Sequence, residues 1–231
     1  MIPLEELAEK WFKIFSLMTV QNTVFLAIGL PLLLLLKRVS PRLRTIIMIA
    51  ILIKMLIPPL PLPSLFQHHI TSPLQMLDGV FSTATLTDSS SNSHHFSIPT
   101  FLFIIWSGVG SMIIILNIYH LLRYYHIARS GIPLKRDSEI KTSDSYSVVS
   151  AEKCSTPYII GFFRPQIVLP AMMRDWKDSD LNIILAHEKA HWKFKDPWIN
   201  VLQVVVQSFY FFHPLVWLLI REMNYLRELA S

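Results

Sequence analysis

Three long apolar runs decide what this chain can become. They extend from about Ile14 to Leu36, from about Thr45 to Leu62 and from about Thr100 to Leu122. A helix needs about 20 such residues to cross the hydrocarbon of a bilayer. Hydrophobic residues make up 52 % of the sequence and charged residues 16 %, which is too apolar for an ordinary soluble domain of this length. The expected fold is mainly α, a polytopic membrane protein with three N-terminal transmembrane helices. Gln21 and Asn22 lie inside the first run, where polar side chains are expected to face other helices. Lys54 lies inside the second and is expected to snorkel or pair with a neighbouring helix.

Basic residues orient the runs. Lys37, Arg38, Arg42 and Arg44 follow the first, and Arg123, Arg129, Lys135 and Arg136 follow the third. Residues 64–98 hold no Lys or Arg; their paired histidines, His68, His69, His94 and His95, are expected in a solvated loop. By the positive-inside rule the N-terminus is outside and everything after the third span is cytoplasmic. The net charge of +5 is then charge near the inner leaflet, and no direct nucleic-acid partner is expected. Residues 1–13 form an amphipathic lead-in, and Glu5, Glu6 and Glu9 argue against a cleaved signal peptide. The single cysteine, Cys154, permits no disulfide within the chain and is expected to be buried or incidental.

Beyond the membrane domain, residues 1–125, comes a polar segment, 126–150, that reads as a linker. Residues 151–231 are expected to form a small cytoplasmic α+β domain. Tyr158–Phe163 and Gln166–Leu169 read as strands of a hairpin, split by Arg164 and Pro165. One of them is expected to be an exposed edge. An extended protein segment can add to such an edge through backbone hydrogen bonds, which makes Tyr158, Ile159, Ile160 and Gly161 the candidate substrate-binding residues.

Chemistry enters at His187-Glu188-Lys189-Ala190-His191. Four residues apart on a helix, two histidines stand one turn above the other and can reach one tetrahedral zinc ion. Glu188 sits beside the metal without binding it and can take a proton from a water there. Asp178 or Ser179 can cap this helix, and Leu181, Ile184 and Leu185 give it an apolar face. Asp196 can cap the next helix, with Pro197 at its first position, or can instead hold a ligand histidine from behind. A catalytic zinc site needs a third protein ligand. The longer H-E-x-x-H-x-x-G-x-x-H pattern is excluded, because Phe194 and Pro197 occupy its Gly and His positions. Glu222 and Glu228 remain, six residues apart and so pointing in different directions on a helix. Glu228 is slightly favoured because it shares a face with Asn224 and Arg221, which could hold it. The run Ile199–Ile220 reads as two helices broken at His213-Pro214. A true crossing there would carry everything beyond Ile220 away from His187.

Taken together, STPYIIGFFRPQIVLP at 155–170, HEKAHWKFKD at 187–196, FFHPLVW at 211–217 and RELAS at 227–231 resemble the BlaR/MecR-type antirepressor and β-lactam-sensing transducer family of membrane zinc metallopeptidases. The resemblance covers about residues 150–231 by motif and the N-terminal part by layout. It implies a gluzincin site, with His187, His191 and Glu228 as zinc ligands and Glu188 as general base. It also implies that FFHPLVW re-enters rather than crosses. Family members are multi-pass proteins of the bacterial cytoplasmic membrane, and some promote loss of a cytoplasmic repressor. The partners it implies are the lipid bilayer and a protein substrate, either a transcriptional repressor or the chain itself, with a homodimer allowed. The pattern continues with Cys and Asp where this sequence has Ser231 and stops. The competing expectation is therefore a non-catalytic membrane signalling or assembly protein with a remnant H-E-x-x-H site. A metal transporter would need more polar ligands in the spans than Lys54 and a few amides.

Overall fold

The computed structural model describes residues 3–35, 39–58, 97–134 and 146–230. The paired histidines, Lys37, Arg38, Lys135, Arg136, Ser231 and the end of the second apolar run lie outside the described residues. The chain is mainly helical with one small sheet. Its helices are α1 (Leu4–Leu35), α2 (Pro41–Leu56), α3 (Ile98–Ser130), α4 (Asp178–Lys193), α5 (Asp196–Phe209) and α6 (Pro214–Ala230). The strands are β1 (Ile132–Pro133), β2 (Ser147–Ala151), β3 (Tyr158–Ile160) and β4 (Gln166–Pro170).

Among the described residues two helices are long and apolar enough to cross a membrane, Leu4–Leu33 within α1 and the whole of α3. The expected lead-in is continuous with the first span, since α1 already begins at Leu4. In α3, Phe101, Ile105, Met112, Ile115 and Leu122 are all exposed. A long helix that is apolar all round and left uncovered by its own chain is suited to lipid rather than water. Helix α2 has 16 residues, fewer than the length a crossing takes, and residues 59–62 of the expected second span are not described.

One core joins α1 and α2 to α5 and α6. Leu26, Leu30 and Leu33 pack with Met48, Leu52 and Met55, with Ile199 and Val206, and with Val216, Leu219, Met223 and Leu226. The helical hairpin of α5 and α6 is thus built into the bundle. Its bend carries Tyr210, whose hydroxyl donates to the Met55 carbonyl at 3.1 Å and accepts from Asn22 at 2.9 Å. Lys54 donates to Asn22 at 2.5 Å, so the costly charge is paired as expected. Arg42 stacks over the Phe194 ring at 4.7 Å and Arg44 meets Glu222 at 2.9 Å. The start of α2 therefore lies beside the turn that enters α5 and beside the middle of α6, and the hairpin's tip lies beside the end of α2. The break itself starts at Tyr210, three residues before the expected His213-Pro214. Helix α3 comes close to α5 at Gly110, where a Cβ would stand 2.8 Å from the Ser208 carbonyl oxygen.

The sheet has strand order β1-β2-β4-β3, with β3 antiparallel to β4 and β2 parallel to it. Strand alternation sends Val149, Ala151, Ile160 and Val168 to one face, against Ile127 and Ala128 at the end of α3. Val148, Ile167 and Leu169 take the other face, against Leu181 and Leu185 of α4. The segment expected as a linker, 126–150, thus contains the last turn of α3, β1 and most of β2; residues 135–145 are not described.

Candidate metal centre

Helix α4 presents the motif. Its apolar stripe, Leu181 and Leu185, is buried on the sheet, and Glu188 continues that stripe one turn on and is itself buried. His187 and His191 face away from the sheet, as the helical period requires. The expected caps are absent from this helix: Lys177 is the N-cap residue and makes no side-chain cap bond. Asp178 and Asp180 stand in the first turn instead, where negative charge suits the helix dipole.

The α4–α5 turn is tight. Lys195 takes a left-handed conformation, φ 63°, without being glycine. That turn makes Asp196 the first residue of α5, with Lys195 as the N-cap residue, so the capping role expected for Asp196 is not the one observed. Its carboxylate turns back on α4 instead, where His191 Nδ1 lies 2.6 Å from Oδ2. With its proton on Nδ1, His191 offers the Nε2 lone pair outward, the arrangement that second-shell carboxylates impose on metal-binding histidines. The hydrogen bond to Asp196 raises His191 above the usual histidine value, against the opposing effect of burial. Burial pushes the Asp196 carboxyl up, but its bonds to His191 and Arg227 outweigh this and hold it below the usual aspartate range.

Helix α6 brings the carboxylate. Glu228 Oε2 lies 3.9 Å from His187 Nε2 and 3.9 Å from His191 Nε2, and the two nitrogens are 3.2 Å apart. A point equidistant from these three atoms lies about 2.1 Å from each, inside the bonding range of zinc to imidazole nitrogen and carboxylate oxygen. Among the described residues His187, His191 and Glu228 form the one group of three His, Cys, Asp or Glu able to hold a metal ion. Two neutral imidazoles and a carboxylate suit zinc, and the exposure of His187 and Glu228 leaves room for a water and a substrate. Glu222, the other carboxylate considered, is engaged with Arg44 on another face of α6.

Glu188 follows His187 and is buried. Burial raises its carboxyl, and the neighbouring histidines pull the other way. Asn224 lies one turn before Glu228 on α6. Its carbonyl oxygen accepts from Gln203 at 2.8 Å and from Arg227 at 3.3 Å. Arg227, which the sequence reading passed over, also reaches Asn200 at 2.8 Å and Asp196 at 3.0 Å. No spacing signal could have found it, because Asp196 and Asn200 belong to another helix.

The four edge-strand residues divide. Strand β3 pairs only with β4 among the described residues, so its other side is an edge next to α4. Ile159 packs toward α4, while Ile160 is buried on the α3 side. Tyr158 donates its hydroxyl to the Tyr124 carbonyl at 3.1 Å, and burial pushes that hydroxyl up to about 12. Gly161 takes φ 107° at the hairpin turn, with the Arg164 carbonyl so close that a Cβ would sit 2.4 Å from it. Its part is to bend the chain. Cys154 is buried, and its thiol donates to the Thr156 carbonyl at 3.0 Å.

Comparison with known proteins identifies the family of the chain. The Regulatory protein BlaR1 of Bacillus licheniformis is 29 % identical over 108 residues, 47 % of this chain and 17 % of that protein, so the match covers a small part of the relative. A family model described as BlaR1 peptidase M56 matches residues 14–231, from the first apolar helix through the last residue of the chain. A match of that extent, over both the membrane helices and the helix pair that brings His187, His191 and Glu228 together, places the chain in the BlaR1 peptidase M56 family.

Proposed function

We propose that this protein is a membrane-embedded zinc metalloendopeptidase that cuts a protein segment on the cytoplasmic side, in signal transduction or antirepression. The convergence of three ligand atoms on one point, with a buried glutamate beside them, carries the reading. His187, His191 and Glu228 would hold zinc, which when bound acidifies a water and polarises the scissile carbonyl. Glu188 takes the proton from the attacking water and delivers it to the leaving amine. Asp196 fixes the His191 ring. The edge of β3 holds the substrate as an added strand, through backbone groups rather than through the buried Ile160 side chain.

In this reading the N-terminus is outside, and the hairpin of α5 and α6 dips into the bilayer from the cytoplasmic side. The observation favouring re-entry is that the basic start of α2 meets the turn entering α5 and the middle of α6, while the hairpin's tip meets the end of α2. The substrate is a repressor or the chain itself, and a homodimer would suit self-cleavage. The relative's printed name, a regulatory protein, supports the signalling role.

The test is Glu188→Gln in the full chain in detergent or nanodiscs. Zinc content is expected to stay stoichiometric while cleavage of a co-expressed substrate, or of the chain, falls by more than about a hundredfold. Unchanged cleavage would sink the mechanism. Stoichiometric zinc with no cleavage even in the unmodified chain would favour the non-catalytic signalling role.

A further inference from the structure

The metal centre is completed from behind by a residue that contacts none of the reacting atoms. We infer that Arg227 is a positioning residue of the centre, a clamp that fixes Asp196 and the last turn of α6 together. The inference rests on the zinc reading and deepens it.

The geometry is specific. Arg227 and Asp196 are both nearly buried, with side chains 11 % and 6 % exposed. One guanidinium nitrogen, Nη2, donates to Asp196 Oδ2 at 3.0 Å. The other, Nη1, donates to Asn200 at 2.8 Å and to Asn224 at 3.3 Å. Asp196 and Asn200 lie one turn apart on α5, so the planar fork of Arg227 grips two successive turns of that helix. A lysine has one ammonium and no fork with which to do the same. Asp196 Oδ2 is shared between Arg227 and His191.

Two consequences follow from one side chain. First, a buried carboxylate is costly without a cation; Arg227 keeps it ionised and aimed at His191 Nδ1, so that Nε2 stays the free nitrogen. Second, Arg227 immediately precedes Glu228. Successive side chains diverge by about 100° on a helix, so anchoring Arg227 to α5 turns Glu228 toward the two imidazoles. The ligand near the end of α6 is thereby held to the helix that follows the H-E-x-x-H motif, at the turn where a helix end otherwise frays.

The test is a double-mutant cycle read by zinc affinity, using chelator competition on the full chain in detergent. Arg227→Met is expected to weaken zinc by about ten- to a hundredfold, and Asp196→Asn by a similar factor. The double variant is expected to bind nearly as well as the weaker single one, because both changes cut the same link. Losses that multiply would overturn the inference, since they would mean that Arg227 supports the fold independently of Asp196. Arg227→Lys is expected to fall between wild type and Arg227→Met, and it serves as the cycle's second variant if Arg227→Met does not fold. A readout without zinc separates this inference from the enzyme reading. In the metal-free protein at alkaline pH, nitrogen NMR is expected to find the His191 proton on Nδ1, and Arg227→Met to yield a mixture of tautomers. A tautomer unmoved by the substitution overturns the clamp, whether or not the wild type binds zinc.

Discussion

At the scale of single residues the His191–Asp196 contact sets how protons and zinc compete. His191 is raised by Asp196, so below about pH 6.5 the ring is protonated whether the chain is folded or not, and the pair contributes its full stability. That contribution is lost as pH climbs through the raised value. Asp196 is depressed, so its share is present above about pH 4 and is lost only as pH falls through the lower folded value. The metal-free protein therefore draws most from this pair in mildly acidic solution. Zinc needs the neutral ring and must displace the proton. The rise in Tm on adding zinc is expected to be small at about pH 6 and larger at about pH 8, measured by thermal melts of the detergent-solubilised chain. An equal rise at both pH values would show that His191 is not a ligand. The two histidines and Glu188 were legible in the sequence because one helix fixes their spacing. Arg227 was not, since which residue meets Asp196 depends on how α5 lies on α6, a matter of packing that no local pattern records.

Secondary-structure elements were legible where local chemistry decides them and illegible where partners do. The β3–β4 hairpin, the break before Pro214 and the motif helix each follow from runs, turns and prolines within one stretch. The parallel pairing of β2 with β4 joins strands that have β3 between them in sequence, and β2 looked like linker. The caps foreseen for α4 and α5 failed for a related reason. At α4 the cap position falls on Lys177, one residue before Asp178, and at α5 the pull of His191 on Asp196 overrides its capping preference. The hairpin turn permits a direct check. Gly161→Ala would place a Cβ 2.4 Å from the Arg164 carbonyl in a backbone region that side chains avoid, which should cost about 2 kcal/mol or more. Because the change displaces the end of β3 and not α4, cleavage is expected to drop severalfold more than zinc content. Wild-type melting and cleavage in this variant would show that the turn does not shape the edge.

For the whole molecule the deciding feature is that the metal centre and the membrane bundle share one core. Met48, Leu52 and Met55 of α2 pack directly on Val206, Leu219 and Met223 of the hairpin, so the site is not a separate unit hung below the spans. Sequence suggested a boundary near residue 125 because hydropathy falls there, but hydropathy does not say which apolar helices meet. The same core constrains topology. Both α4 and the end of α6 must lie at the end of the bundle where Arg42 and Arg44 begin α2. Buried Cys154 can be removed as Cys154→Ser, and single cysteines then introduced as Glu9→Cys, Ser179→Cys and Leu229→Cys, all at exposed positions. A membrane-impermeant thiol reagent on intact cells is expected to label the first alone. The other two are expected to react together, and only after the cells are opened. Labelling of Leu229→Cys but not Ser179→Cys from outside would mean that 199–220 crosses the bilayer, which would separate Glu228 from both histidines and undo the zinc centre.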